Sequence, residues 1–206
     1  MIGIIDYGMG NLGSVVNALK YLNQDARIIV RPENSADCHA LIVPGVGSFG
    51  DCSNHLSENG FSDLIKEWIS AGKPLMGICL GLQILFESSE EAKNIPGLNI
   101  FAGSVKKFKQ SSKLKVPQIG WNKLHIQKTE CPMFKDIENQ SYFYLVHSFY
   151  VDPIDKGVVA GKTDYGLEYC SCLWRDNVFA TQFHPEKSQK VGLKMLQNFC
   201  DWSISL

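Results

Sequence analysis

The segment Gly77-Ile78-Cys79-Leu80-Gly81 closes an apolar, β-type run and opens a helical pattern, so Cys79 falls on a strand-to-helix turn with glycine two residues to either side. That spacing is the G-x-nucleophile-x-G elbow with cysteine in place of serine. The glycines let the turn tighten until the side chain stands above the sheet, and the N–H groups of the following helix favour thiolate over thiol. A structural cysteine at a buried strand end, with glycines that serve packing, is the competing account. A thiol nucleophile needs a base. Among His39, His55, His125, His147 and His184 the last stands out, because it follows the apolar run VFATQF and opens His184-Pro185-Glu186. In extended backbone, residues i and i+2 point to one side. Glu186 can therefore hold one ring nitrogen while the other faces Cys79, and Pro185 stiffens the spacing. Nucleophile, base and orienting acid make the generalised triad. His147, in YLVHSFY, is the second candidate base, with Asp152 its nearest acid along the chain.

Attack of a thiolate on a carbonyl also requires donors for the oxyanion. The N–H of Leu80 is one candidate, and the loop Pro44-Gly45-Val46-Gly47-Ser48, after a buried strand, supplies a second. Gln83, at i+4 from Cys79, shares its helix face and can grip a substrate. Together these residues fit acyl transfer from an amide or ester to water, which calls for no cofactor and no metal. A rival motif stands near the N-terminus. Gly8-Met9-Gly10-Asn11-Leu12-Gly13 is a G-x-G-x-x-G between an apolar run and a helical pattern, with Glu33 following about 20 residues on, as in dinucleotide-binding folds. Asp6, immediately before the loop, would set a carboxylate beside a bound pyrophosphate, which argues against that reading.

The elements that must position these residues follow from periodicity. Met1 to Asp6, Arg27 to Val30, Ala40 to Val43 and Pro74 to Cys79 read as strands, and Leu12 to Leu22, Phe61 to Ser70 and Leu80 to Glu87 as helices. Alternation at this spacing means right-handed βαβ units around a parallel sheet. In the second half, Ser104 to Phe108, Tyr142 to Val151, Val158 to Gly161, Tyr169 to Trp174 and Val178 to Phe183 read as strands separated by turns. They suggest an antiparallel extension of the same sheet, closed by a helix from about Ser188 to Trp202. The expected fold is α/β: a mixed, mainly parallel sheet flanked by helices, in a single domain spanning 1–206. A net charge of -1 offers no general attraction to nucleic acid or anionic membrane. No apolar run reaches the ~20 residues of a membrane span. No secretory signal is visible, and seven cysteines without C-x-x-C spacing argue against a disulfide framework or zinc ribbon, so a cytoplasmic protein is expected. The loop Lys106 to Lys115 concentrates positive charge and reads as a solvated tip.

Pro44-Gly45-Val46-Gly47, Gly77 to Gln83 and His184-Pro185-Glu186, in that order, resemble the class I, triad-type glutamine amidotransferases. Within that family the chain is most similar to glutaminase subunits of imidazole glycerol phosphate synthases, through DYGMGNL, PGVGSFG, GICLGLQILFESSEE, GWN at Gly120 to Asn122, YFYLVHSFY and FATQFHPEKS. The resemblance implies the fold of that family and a Cys79 that attacks the side-chain amide of glutamine, with His184 as acid and base and Glu186 orienting it. It implies glutamine binding by Gly47, Gln83, Glu91 and Ser148, an oxyanion held by Leu80 and the Val46 to Gly47 loop, and no cofactor. It also implies a heterodimer with a (β/α)₈-barrel cyclase subunit that receives the ammonia, through a surface including Asn11, Trp121, Asn122 and Tyr144. Two positions depart from the family pattern. Pro117-Gln118-Ile119 stands where Pro-His-x is usual, and Gly13 where a larger residue is common; both are expected near the partner surface. A paralogous glutaminase that serves a sugar amidotransferase is the alternative.

Overall fold

A computed structural model describes residues 1–110 and 114–205; part of the basic loop Lys106 to Lys115 lies outside them. The chain runs through β1 (Ile2–Ile5), α1 (Leu12–Tyr21), β2 (Ala26–Ile29), β3 (Ala40–Gly45), α2 (Phe49–Glu58), α3 (Phe61–Ser70), β4 (Leu75–Cys79) and α4 (Leu80–Gln83). It continues through β5 (Phe86–Ser89), β6 (Phe101–Lys107), β7 (Gln118–Lys123), β8 (His125–Ile126), β9 (Tyr142–His147), β10 (Phe149–Pro153), β11 (Val159–Asp164), β12 (Glu168–Arg175), β13 (Val178–Thr181) and α5 (Gln189–Ser205).

The main sheet has the order β2-β1-β3-β4-β13-β12-β10-β6-β5, with β11 paired to β12 and β8 to β11. From β2 to β13 every neighbour is parallel. β12 and β10 then bring antiparallel pairings. Along β3 the side chains alternate between two apolar cores: Leu41 and Val43 join Phe49, Phe61, Ile65 and Trp68 of α2 and α3, while Ala40 and Ile42 join Val15 and Leu19 of α1 and Met195, Leu196 and Phe199 of α5. Period-two alternation in a strand with both sides buried gives the sheet a helical layer on each face.

Two readings of the sequence are corrected. The helix expected over Leu80 to Glu87 is a single turn, Leu80–Gln83, and Phe86–Ser89 is a strand beside β6. The run Leu82 to Phe86, apolar but for Gln83, fits a buried helix and a buried strand equally, and packing chose between them. The strand expected over Tyr142 to Val151 breaks at Ser148. Its first half, β9, pairs with β7 in a separate two-stranded sheet, and its second, β10, belongs to the main sheet. The α2 helix was not anticipated. Its apolar residues Phe49, Cys52 and Leu56 are few, but Ser48 caps it, its hydroxyl accepting from Asp51 N–H at 3.2 Å, which is a helix-start signal in the sequence.

Candidate active site

Strand order assembles the site. β4 lies between β3 and β13, all three parallel, with Gly45 opposite Cys79 and Thr181 opposite Ile78. Their carboxyl ends therefore deliver the Pro44 to Ser48 loop, the Cys79 turn and the His184 segment to one edge, the crevice where open α/β sheets bind ligands. Cys79 sits at φ 57°, ψ −107°, a conformation that L-residues rarely adopt. Its elbow depends on the glycines: a Cβ at Gly81 would stand 1.9 Å from the carbonyl oxygen of Val43, and one at Gly77 2.6 Å from that of Gly81. Because α4 is one turn long, it offers the sulfur only a short dipole.

His184 Nδ1 is 2.8 Å from Glu186 Oε1, with both side chains almost fully buried. Residues 185–187 form a short 3₁₀ turn rather than extended strand, so the turn, not strand alternation, brings the carboxylate back to the ring. The backbone of His184 is held at both ends: its N–H donates to Tyr144 O at 3.0 Å, and its carbonyl accepts from Ser188 Oγ at 2.6 Å. Its Nε2 is buried without a hydrogen-bond partner among the described residues. Burial by itself would lower the His184 pKa, but the neighbouring Cys79 and the Glu186 carboxylate outweigh it and raise it.

These groups border a cavity of about 360 Å³ lined by Val46, Gly47, Cys79, Leu80, Gln83 and Glu91, together with Pro117, the Val146 to Phe149 segment and His184. All four residues expected to bind substrate, and Leu80, Val46 and Gly47 of the expected oxyanion site, thus share one space with Cys79 and His184. Gly47 adopts φ +107° and packs against Met9. Tyr7, fully buried, donates its hydroxyl to Pro44 O at 3.0 Å and ties that loop to β1. Glu91 accepts from Phe49 N–H at 2.8 Å, at the first turn of α2, where the helix dipole favours its charge.

His147, the second candidate base, also borders the cavity, but its ring is engaged in the protein. Nδ1 is 2.7 Å from Phe149 O, and Nε2 is 3.1 Å from both Gln118 Oε1 and Tyr169 Oη. Gln118 lies directly across the β7–β9 pair from His147 and is buried. This departure from the family pattern is therefore an interior contact. Burial, partly opposed by the Phe149 carbonyl and reinforced by the charge of His184, pushes the His147 pKa down to about 4. Between the ordinary histidine value of 6.5 and about 4 the unfolded chain binds more protons at this residue than the folded one, so stability falls as pH drops through that window. Over the full window this amounts to at most about 3 kcal/mol. Urea unfolding between pH 7 and pH 4 is expected to show a slope that His147→Gln flattens; an unchanged slope would place the acid sensitivity elsewhere.

Of the expected partner-facing residues, Asn11 is exposed at the start of α1, and Trp121 is 45% exposed and meets Tyr144 edge-on across the β7–β9 pair at 6.0 Å. Asn122, half-buried, donates to Asp164 O at 2.7 Å at the surface. In the G-x-G-x-x-G segment, Asp6 Oδ1 already accepts the N–H of Gly8 at 2.9 Å, so a carboxylate occupies an amide that a phosphate would need. Sequence reasoning passed over Gln182, whose Nε2 donates to Cys79 Sγ at 3.6 Å. The signal was a lone amide in the apolar run VFATQF, 103 positions from the cysteine.

The fold is that of an α/β enzyme, with Cys79, His184 and Glu186 brought together at the carboxyl edge of its parallel strands. More narrowly, residues 3–202 match the family model for class-I glutamine amidotransferases, and the chain belongs to that family. It is 48% identical over 206 residues to the imidazole glycerol phosphate synthase subunit HisH of Syntrophotalea carbinolica, across 98% of this chain and 100% of that one. It is also 48% identical over 201 residues to the HisH subunit of Methanocaldococcus jannaschii, across 98% and 99%. Among solved structures, that of PurLQS from Thermotoga maritima superposes with a TM-score of 0.77 at 20% identity, covering 98% of this chain and 97% of the other, a likeness in fold. Among the described residues no helix is long and apolar enough to cross a membrane.

Proposed function

We propose that this chain is the glutaminase subunit of an imidazole glycerol phosphate synthase, which hydrolyses glutamine to glutamate and ammonia for a cyclase subunit in histidine biosynthesis. The observation that carries the chemistry is the convergence of Cys79, the His184–Glu186 pair and the Gly47 loop on one cavity of about 360 Å³. The near full-length relatives carry the pathway.

In this reading the Cys79 thiolate attacks the side-chain carbonyl carbon of glutamine. The N–H of Leu80 and an N–H of the Val46 to Gly47 loop hold the oxyanion. His184 gives its Nε2 proton to the amide nitrogen, the C–N bond breaks, and ammonia leaves a glutamyl thioester. The neutral imidazole, held by Glu186, then takes a proton from water as that water attacks the thioester, and the C–S bond breaks to release glutamate and restore the thiolate. Glu91 is placed to receive the substrate ammonium; Gln83, Ser148 and Gly47 hold the rest of the amino-acid end. Ammonia passes to a (β/α)₈-barrel cyclase bound over Asn11, Trp121, Asn122 and Tyr144, in the cytoplasm. The alternative acceptor, a sugar amidotransferase, loses part of its support because Gln118 is interior.

Glutamate release from glutamine is the test, with wild type and Cys79→Ala, alone and with the cyclase subunit and its nucleotide ligand. Activity is expected to require Cys79 and to rise when the liganded cyclase is added. Cys79-dependent activity that the cyclase leaves unchanged would move the search to another ammonia acceptor.

A further inference from the structure

We propose that Gln182 is a catalytic residue that, as the last member of a hydrogen-bond relay of fixed polarity, donates its side-chain N–H to Cys79 Sγ and stabilises the thiolate. The inference rests on the reading of Cys79 as nucleophile.

The relay begins at the backbone carbonyl of Phe149, which can only accept. Gln83 Nε2 is 3.2 Å from that oxygen, so the nitrogen of the Gln83 amide must face it. The same nitrogen lies 3.0 Å from the Gln182 side chain, which must present its oxygen there. The Gln182 nitrogen is thereby turned toward Cys79 Sγ, at 3.6 Å. Exchanging oxygen and nitrogen in either amide would set two donors or two acceptors against each other inside the protein, so no alternative orientation competes. Gln182 is completely buried and its backbone N–H donates to Ser171 O at 2.8 Å, which leaves the side chain no solvent to turn to. A donor fixed on sulfur is charge-assisted when the sulfur is ionised and weak when it carries its proton, so the relay favours the attacking form.

The bond also changes through the reaction. Sulfur in the glutamyl thioester is neutral and a poorer acceptor, so the Gln182 contact is strong before attack and again as thiolate is expelled. With α4 only one turn long, this donor and the His184 imidazolium are the groups that supply what a longer helix would. The other titratable groups around the sulfur are Tyr7, Glu91 on the cavity wall, and Glu186 and His147 near His184. None of these is altered by the variants below. The relay further ties the nucleophile to the carbonyl of Phe149 in the cavity-lining segment, and so makes Gln83 a brace as well as a substrate contact.

The test is alkylation of Cys79 by iodoacetamide as a function of pH, read by mass spectrometry on the peptide that contains Cys79. Two variants are compared with wild type. Gln182→Met removes the donor without adding charge. Gln182→Glu keeps an acceptor for Gln83 and replaces the donor with a carboxylate. At pH 7 the Met variant is expected to alkylate about tenfold more slowly and the Glu variant more slowly still, and the Met deficit should close as pH is raised until thiols ionise without help. Glutamine turnover should lose kcat with KM little changed, and circular dichroism verifies that each variant is folded. A folded variant with wild-type alkylation at every pH, or a deficit that persists unchanged at high pH, overturns the role of Gln182. Failure of wild-type Cys79 to react at all would instead overturn the nucleophile assignment on which it rests.

Discussion

Cys79→Gly and Cys79→Ala are both expected to abolish glutamine hydrolysis, with kcat falling about 10⁶-fold, and the glycine variant is expected to be the more stable of the two. The usual order is the reverse, since glycine is less stable than alanine by about 0.5–1 kcal/mol in regular structure because the unfolded chain has more freedom to lose. Residue 79, however, sits at φ 57°, ψ −107°, where any Cβ is strained by about 1–3 kcal/mol. Glycine relieves that strain and alanine does not, so a difference of about 1 kcal/mol in favour of glycine should appear in urea unfolding. The result would show directly that the elbow stores strain in order to lift a side chain above the sheet. Alanine equal to or more stable than glycine would mean that the backbone at residue 79 relaxes freely, and that the exposure of the sulfur has another origin.

The second large effect is structural. Gly81→Ala is expected to destabilise the protein by more than about 4 kcal/mol and to yield insoluble chain at ordinary growth temperature. The new Cβ would lie 1.9 Å from Val43 O and 3.0 Å from Val43 C. These are backbone atoms of β3, which is paired on both sides, to β1 and β4. Neither can retreat without breaking the sheet, so the one-turn helix must move instead, carrying Leu80 and Cys79 with it. Any fraction that folds should lose about 10²-fold in kcat, because a shift of an ångström at a nucleophile is enough. Gly13→Ala is the control: nothing lies within 4 Å of its Cβ, it is on an exposed face of α1, and it should gain about 0.5–1 kcal/mol. Similar stability for the two variants would refute the claim that close approach of α4 to β3 sets the elbow.

What was legible in the sequence was local. The elbow around Cys79 shows because glycines two residues either side of a nucleophile are a steric requirement of one turn, and His184-Pro185-Glu186 shows because base and acid are near neighbours along the chain. The βαβ alternation of the first half follows from period and length. Tertiary structure decided what depends on which segments meet. Leu82 to Phe86 is apolar but for Gln83, and only its place beside β6 made its end a strand. Tyr142 to Val151 reads as one strand, yet two different sheets claim its halves. Gln118 stands in a motif associated with the partner surface and is turned inward by its register opposite His147. Gln182 and Cys79 are 103 residues apart, so no spacing rule joins them. Chemistry carried by neighbouring residues is written in spacing, because bond geometry sets it. Chemistry shared across the sheet is set by strand order, which arises from the burial of two apolar faces at once and leaves no local mark.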